Sequence, residues 1–190
     1  MISTLIRVAL VGACVFGPAA AMAKVEVQAV QHKSVGRILA VNVSEDIAPG
    51  DYEVLLKGIT GNPGKYAKKL MLLDSIGGSV PEAIRMGRLL REAGFDALVP
   101  AGAVCQGTCV YLLAAGRDKT VRGAVGLHRP YFAHGDSALA NAAARGVKYS
   151  PSAYFKEMNI PTSLAAELQR IAPTQMRVLS VQELARYRLD

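Results

Sequence analysis

Residues 69–93 read KLMLLDSIGGSVPEAIRMGRLLREA. The stretch opens with Leu70-Met71-Leu72-Leu73, a short unbroken apolar run of the kind carried by a strand buried on both faces. Ser75-Ile76-Gly77-Gly78-Ser79 interrupts it. From Val80 to Ala93 the apolar residues Val80, Ala83, Ile84, Leu89 and Leu90 then recur as one face of a helix, and Gly94 supplies the stop. Strand, glycine loop and helix in this order are a βα unit.

Upstream, Arg37 to Val43 is a β-branched-rich apolar run and reads as another buried strand, with residues 24–36 as an extended lead-in. Asp51 to Thr60 has helical spacing with Asp51 as its N-cap, and Gly61-Asn62-Pro63-Gly64 breaks it. Downstream, Phe95 to Pro100 predicts a strand. Gly102 to Gly116 predicts a helix that is apolar on nearly every side and therefore buried. Thr120-Val121-Arg122 and Val125 to His128 are strand-like, and from Ser137 onwards the pattern is largely helical, with breaks at Pro151, Pro161 and Pro173. The alternation predicts an α/β fold with a mainly parallel sheet. No linker or repeat divides it, so residues 24–190 are expected to form a single domain.

A chain of 190 residues, 51% hydrophobic and 19% charged, is long enough for one full core and short for two. The first residues, MISTLIRVALVGACVFGPAAAMAK, place Arg7 before an apolar run and end it with Ala21-Met22-Ala23, the layout of a cleavable secretory signal cut after Ala23. Gly12, Gly17 and Pro18 interrupt that run, which falls short of the roughly 20 residues a membrane-spanning anchor needs. Residues 1–23 are thus read as a signal peptide and the mature chain as periplasmic or secreted, with no membrane span. A minority alternative takes Val11-Gly12-Ala13-Cys14 as a lipobox with Cys14 lipidated.

The 22 Lys+Arg against 15 Asp+Glu give a formal charge of +7. The basic residues cluster at Lys65, Lys68 and Lys69 and recur at Arg85, Arg88 and Arg91. No aromatic residues interleave with them as a stacking platform requires, so they read as solvated faces and no nucleic-acid partner is expected.

Ligands of open α/β folds gather at the carboxyl ends of strands. Three segments lie there: Ser75 to Ser79, Gly102 to Cys109, and His128-Arg129-Pro130. Gly77-Gly78 leaves backbone N–H groups unobstructed for an anion or a developing oxyanion, or else marks a tight turn needing positive φ. The loop is not a P-loop, because no Gly-Lys-Ser/Thr follows. Cys105 and Cys109 suit a disulfide in an exported protein, the alternative being two buried thiols; no second Cys/His pair completes a metal tetrad. The loop they close is very short, so its gain should stay below the ~3 kcal/mol of a 15-residue loop and shape the turn more than stabilise the fold. His128 is either a structural histidine or a general base at a strand terminus.

Taken together, LLDSIGGSVPEAIRMGRLLR, AVCQGTCVYLLAAG and VGLHRP resemble the Clp protease proteolytic subunit and the wider Clp/crotonase superfamily, and within it an exported bacterial branch. The likeness runs from about Gly36 to the C-terminus, where MRVLSVQELARYRLD resembles the family's closing segment. It implies a spiral of ββα units and, in active members, a Ser-His-Asp triad with an oxyanion hole built from the Gly-Gly loop. Residue by residue, the oxyanion loop falls on Gly77 and Gly78 and the base on His128. The serine falls on Gly107, and the aspartate falls near Met176 with no acid adjacent.

The resemblance therefore implies a catalytically degenerate domain that keeps a cleft for a peptide or small acyl ligand, with no cofactor. The alternative is an active hydrolase using Thr108 or a cysteine with His128. Thr108 is one residue along, and a helical step turns its side chain by ~100°; the cysteines can act only while not bonded to each other. A crotonase-like acyl-thioester enzyme, which needs no nucleophile, fits poorly with export. The family's rings imply a homo-oligomer, weakly so here because FAHGDSALANAAARGVK is short and alanine-rich.

Overall fold

The computed structural model of the chain describes residues 24–131 and 135–190. The proposed signal segment, the Ala23 cleavage site and Cys14 lie outside them. Among the described residues, eight strands and seven helices form a mixed α/β fold around one mostly parallel sheet. The strands are β1 (Lys24–His32), β2 (Gly36–Ile47), β3 (Lys68–Gly78), β4 (Asp96–Val99), β5 (Val104–Gln106), β6 (Lys119–Val121), β7 (Ala124–Leu127) and β8 (Arg177–Val178). The helices are α1 (Asp51–Thr60), α2 (Val80–Ala93), α3 (Cys109–Ala115), α4 (Ser137–Ala144), α5 (Pro151–Glu157), α6 (Ser163–Arg170) and α7 (Val181–Tyr187).

The long strand β3 organises the sheet. On one side it pairs in parallel with β2 along its whole length. On the other, Leu70–Leu72 pair with β4 and only Ser75 reaches Cys105 of β5, so the sheet forks: one branch continues to β6, the other to β7. Antiparallel β1 and β8 close the two ends of the main path. This fork sets the carboxyl ends of β3, β5 and β7 side by side.

The segment before Gly36 is a regular strand rather than a lead-in, paired from Lys24↔Ser44 to His32↔Gly36. Most of its residues are exposed, so it shows no apolar pattern in sequence. Helix α1 is capped by Gly50 at φ 106, and Asp51 is its first residue. Asp51 Oδ2 accepts the Ala48 N–H at 2.7 Å, while Glu82 of α2 accepts from Gly50 and Tyr52. A side chain from the neighbouring helix thus satisfies amides that a local cap would otherwise serve. Burial pushes the Asp51 carboxyl up to about 6, against the pull of the Ala48 amide and with a further push from the Glu82 charge.

The helix expected over residues 102–116 starts only at Cys109. Residues 104–106 are instead the strand β5 slotted between β3 and β7, and Gly107 at φ 56 turns the chain into α3. All seven residues of α3 are buried, as its apolar surface required. Tyr111 of α3 stacks with Tyr154 and Phe155 of α5, and the Tyr154 hydroxyl donates to Tyr111 O at 2.7 Å beside Gly87, where any side chain would collide with it. Truncating a core residue such as Leu113 should cost about 2–5 kcal/mol.

The basic stripe on α2 reaches solvent, with Arg88 exposed, and its charges are also paired within the fold. Arg85 pairs with Glu53 and with buried Glu82, and Arg88 forks onto both oxygens of Glu157. Arg91 donates to the carbonyls of Gly116 and Met158. These guanidiniums bind α2 to α1, to α5 and to the ends of α3 and α5. Among the described residues no helix is long and apolar enough to cross a membrane.

Candidate functional site

The three segments singled out at strand ends meet in space. Strand β5 delivers Gly107, whose N–H donates to Gly126 O of β7 at 3.1 Å. Strand β7 in turn delivers His128, only 8% exposed. Cys105 and Cys109, both fully buried, are joined by a disulfide across Gln106-Gly107-Thr108, with their Cα atoms 5.2 Å apart. The bond staples the end of β5 to the start of α3, on either side of the turn that faces the imidazole.

At position 107 there is no side chain, and the imidazole fills the space where one would hang. A Cβ built on Gly107 would lie 2.5 Å from His128 Cε1 and 2.8 Å from Nε2, inside van der Waals contact. His128 Nδ1 lies 3.0 Å from Arg129 O. A carbonyl only accepts, so Nδ1 carries the proton, and the ring turns its Cε1–Nε2 edge toward Gly107. A main-chain carbonyl thereby holds the ring by the atom through which a triad acid would hold it.

Thr108 follows Gly107 and makes no hydrogen bond to the ring. Its Oγ1 is buried without a hydrogen-bond partner among the described residues, and it packs toward Gly77, 3.0 Å from a Cβ built there. Gly77 and Gly78 sit at φ 93 and 145. A Cβ on Gly77 would come 2.7 Å from Thr108 N, and one on Gly78 would run into the Ile47 carbonyl. Both glycines lie inside β3, which runs on to Gly78 rather than breaking at a loop from Ser75; their positive φ and the close approach of Thr108 N and the Ile47 carbonyl leave no room for a side chain. The Gly77 amide also has a partner already, Ser75 Oγ at 3.2 Å, which itself donates to Glu45 O.

Beside His128 opens a cleft of about 410 Å³, whose lining includes Asp46, Ile76, Gln106, Tyr131 and Met176. Met176 lies over Gly126, with its Sδ 2.6 Å from where a Cβ would stand, so a thioether occupies the wall next to the imidazole. Asp46, Gln106 and Tyr131 escaped the sequence reading. Asp46 and Gln106 carried the signal that marks such sites, since each closes a parallel strand at its carboxyl end. Another cavity, of about 380 Å³, is lined by Glu53, Glu82 and Arg85, whose charges already satisfy one another. Among the described residues, no group of three or more His, Cys, Asp or Glu side chains could hold a metal ion.

No known family model matches the chain, and no curated protein matches it in sequence. The fold does have solved counterparts. One, described as "Crystal structure of an Enzyme", superimposes with a TM-score of 0.56 over 79% of this chain and 92% of its own, at 10% sequence identity. At that identity the likeness speaks for the architecture alone: the α/β arrangement of this chain is one that a known enzyme also adopts.

Proposed function

We propose that this chain is an exported domain of the Clp-protease type, in the Clp/crotonase superfamily, that has lost turnover and keeps its cleft for a peptide or a small acyl ligand. The observation that carries this reading is the contact at position 107. The imidazole edge meets bare main chain at residue 107, so no hydroxyl or thiol stands there for the base to deprotonate. Nucleophile and base act as a unit, and losing either can cost about 10⁶-fold in turnover.

The alternative, a hydrolase using Thr108 or a cysteine, finds little support: the Thr108 hydroxyl makes no hydrogen bond to His128, and both sulfurs are tied to each other. A crotonase-like role would lean on the Gly77 amide, which Ser75 already engages. Export after Ala23 and assembly into a homo-oligomer belong to the same proposal. Light scattering tests the latter, and a strict monomer at high concentration would remove it.

The functional test combines labelling and binding. Intact-mass analysis after a fluorophosphonate and iodoacetamide, with and without reductant, is expected to show no adduct that depends on His128. A mixed-sequence peptide pool or an acetyl thioester is expected to shift the His128 ring resonances without being hydrolysed. Adducts on Thr108, Cys105 or Cys109 that the His128→Ala variant abolishes would establish the active-hydrolase alternative instead.

A further inference from the structure

The two clusters of basic residues differ in what their charges meet. The arginines of α2 are all engaged within the fold. Those around Lys65 are not. Arg37 lies over the Tyr66 ring, 4.7 Å from its centroid, and has no carboxylate partner among the described residues. Lys65 is exposed and without a partner among the described residues, as is Arg117, which lies over Gly94. Lys68 shares Asp96 at 3.3 Å with its side chain 44% exposed, and Lys69 donates to the Ala93 carbonyl at the end of α2. Two acids stand nearby besides Asp96: Asp118 and Asp190, whose charges act on half-buried Lys119.

These cations share one end of the sheet. Arg37 is near the start of β2, Lys68 starts β3, Asp96 starts β4, and Arg117 precedes β6, four strands adjacent in that order. At ~4.8 Å per strand the row is about 14 Å wide, too broad for one phosphate and suited to several at once. It borders a polar hollow of about 420 Å³ lined by Tyr66, Lys68, Lys69 and Arg117. The ten steps of β3 from Lys68 to Gly78 put it roughly 33 Å from the His128 cleft, at the amino ends of the strands.

We propose that this end docks onto an anionic phospholipid surface, with the Arg37, Lys65, Lys68 and Arg117 charges set among several headgroups. Attached in this way, the domain holds its His128 cleft facing away from the lipid. A nucleic acid fits less well, because the one ring in the row, Tyr66, is covered by Arg37 and no others are set to stack bases. The proposal does not depend on what the cleft binds.

The test is co-sedimentation of the full mature chain with phosphatidylcholine vesicles, with and without phosphatidylglycerol. Binding is expected only to the anionic vesicles, and to vanish as ionic strength rises from about 0.1 to about 0.5 M. The Lys65→Glu/Arg117→Glu variant should bind roughly 100-fold more weakly. A control with the same change in net charge, Lys148→Glu/Lys156→Glu, should bind like the parent. All four positions are exposed, and circular dichroism of each variant checks that the fold is kept; Lys65→Gln/Arg117→Gln provides a milder pair. Equal losses in test and control variants, binding to neutral vesicles, or duplex DNA binding as tightly as the anionic vesicles would each overturn the proposal.

Discussion

Gly78 and Gly107 close neighbouring strands of the same sheet, both with positive φ and both without room for a Cβ, yet what fills the room differs. Against Gly78 stands the Ile47 carbonyl, main chain of β2 that the parallel ladder fixes in place. Against Gly107 stands a histidine ring, a side chain that can swing. The first glycine is demanded by the architecture; the second lies where the proposed ancestry puts the nucleophile. The same residue type, at the end of β3 and in the turn after β5, is thus held by main chain in one place and faces a side chain in the other.

Substitutions should separate the two. Gly78→Ala should be the most damaging, costing about 3–5 kcal/mol in chemical denaturation or preventing folding, because neither its φ nor the opposing carbonyl can yield. A loss below about 1 kcal/mol would break the comparison. Cys105→Ser/Cys109→Ser should cost about 2 kcal/mol, since the β5 ladder and the Gly107 N–H bond to Gly126 still shape the turn.

Gly107→Ala should cost about 1–2 kcal/mol, from left-handed backbone and a displaced ring. Adding His128→Ala should return part of that cost, a coupling readable in a double-mutant cycle. Purely additive effects would show that the ring does not occupy the side-chain space.

An effect of similar size to that at Gly107 concerns the wall behind Gly78. Asp51 anchors Ala48, next to Ile47, and its folded pKa of about 6 lies above the ordinary 3.8. The folded state therefore favours the protonated carboxyl. Its contribution is full below pH ~4 and is lost as pH rises through about 6, by roughly 1–2 kcal/mol. Asp51→Asn should flatten that part of the pH–stability curve while leaving the Gly107 site unchanged.

Helices α1 and α2 were legible in extent, because their apolar spacing and the breakers after them are local. Strand β5 was not. It has three residues, runs directly into Gly107 and α3, and is defined by pairing with β3 and β7, which no window of sequence reveals. The Asp51 cap failed for a related reason, since the carboxylate satisfying that helix start comes from Glu82, in the first turn of the next helix and about thirty residues along the chain. At the site, the order of motifs was enough to match Gly107 with His128, and the structure brings them together. The cleft wall of Asp46, Gln106, Tyr131 and Met176 depends on how four separate segments converge, which is a property of the fold.

The most direct test is solution NMR of the oxidised chain, reading the His128 ring nitrogens and through-space contacts from its Hε1. The expected spectrum has the proton on Nδ1 and a strong contact between Hε1 and the Gly107 α-protons. A ring protonated on Nε2, or one in contact with the Thr108 side chain and remote from residue 107, would contradict the account.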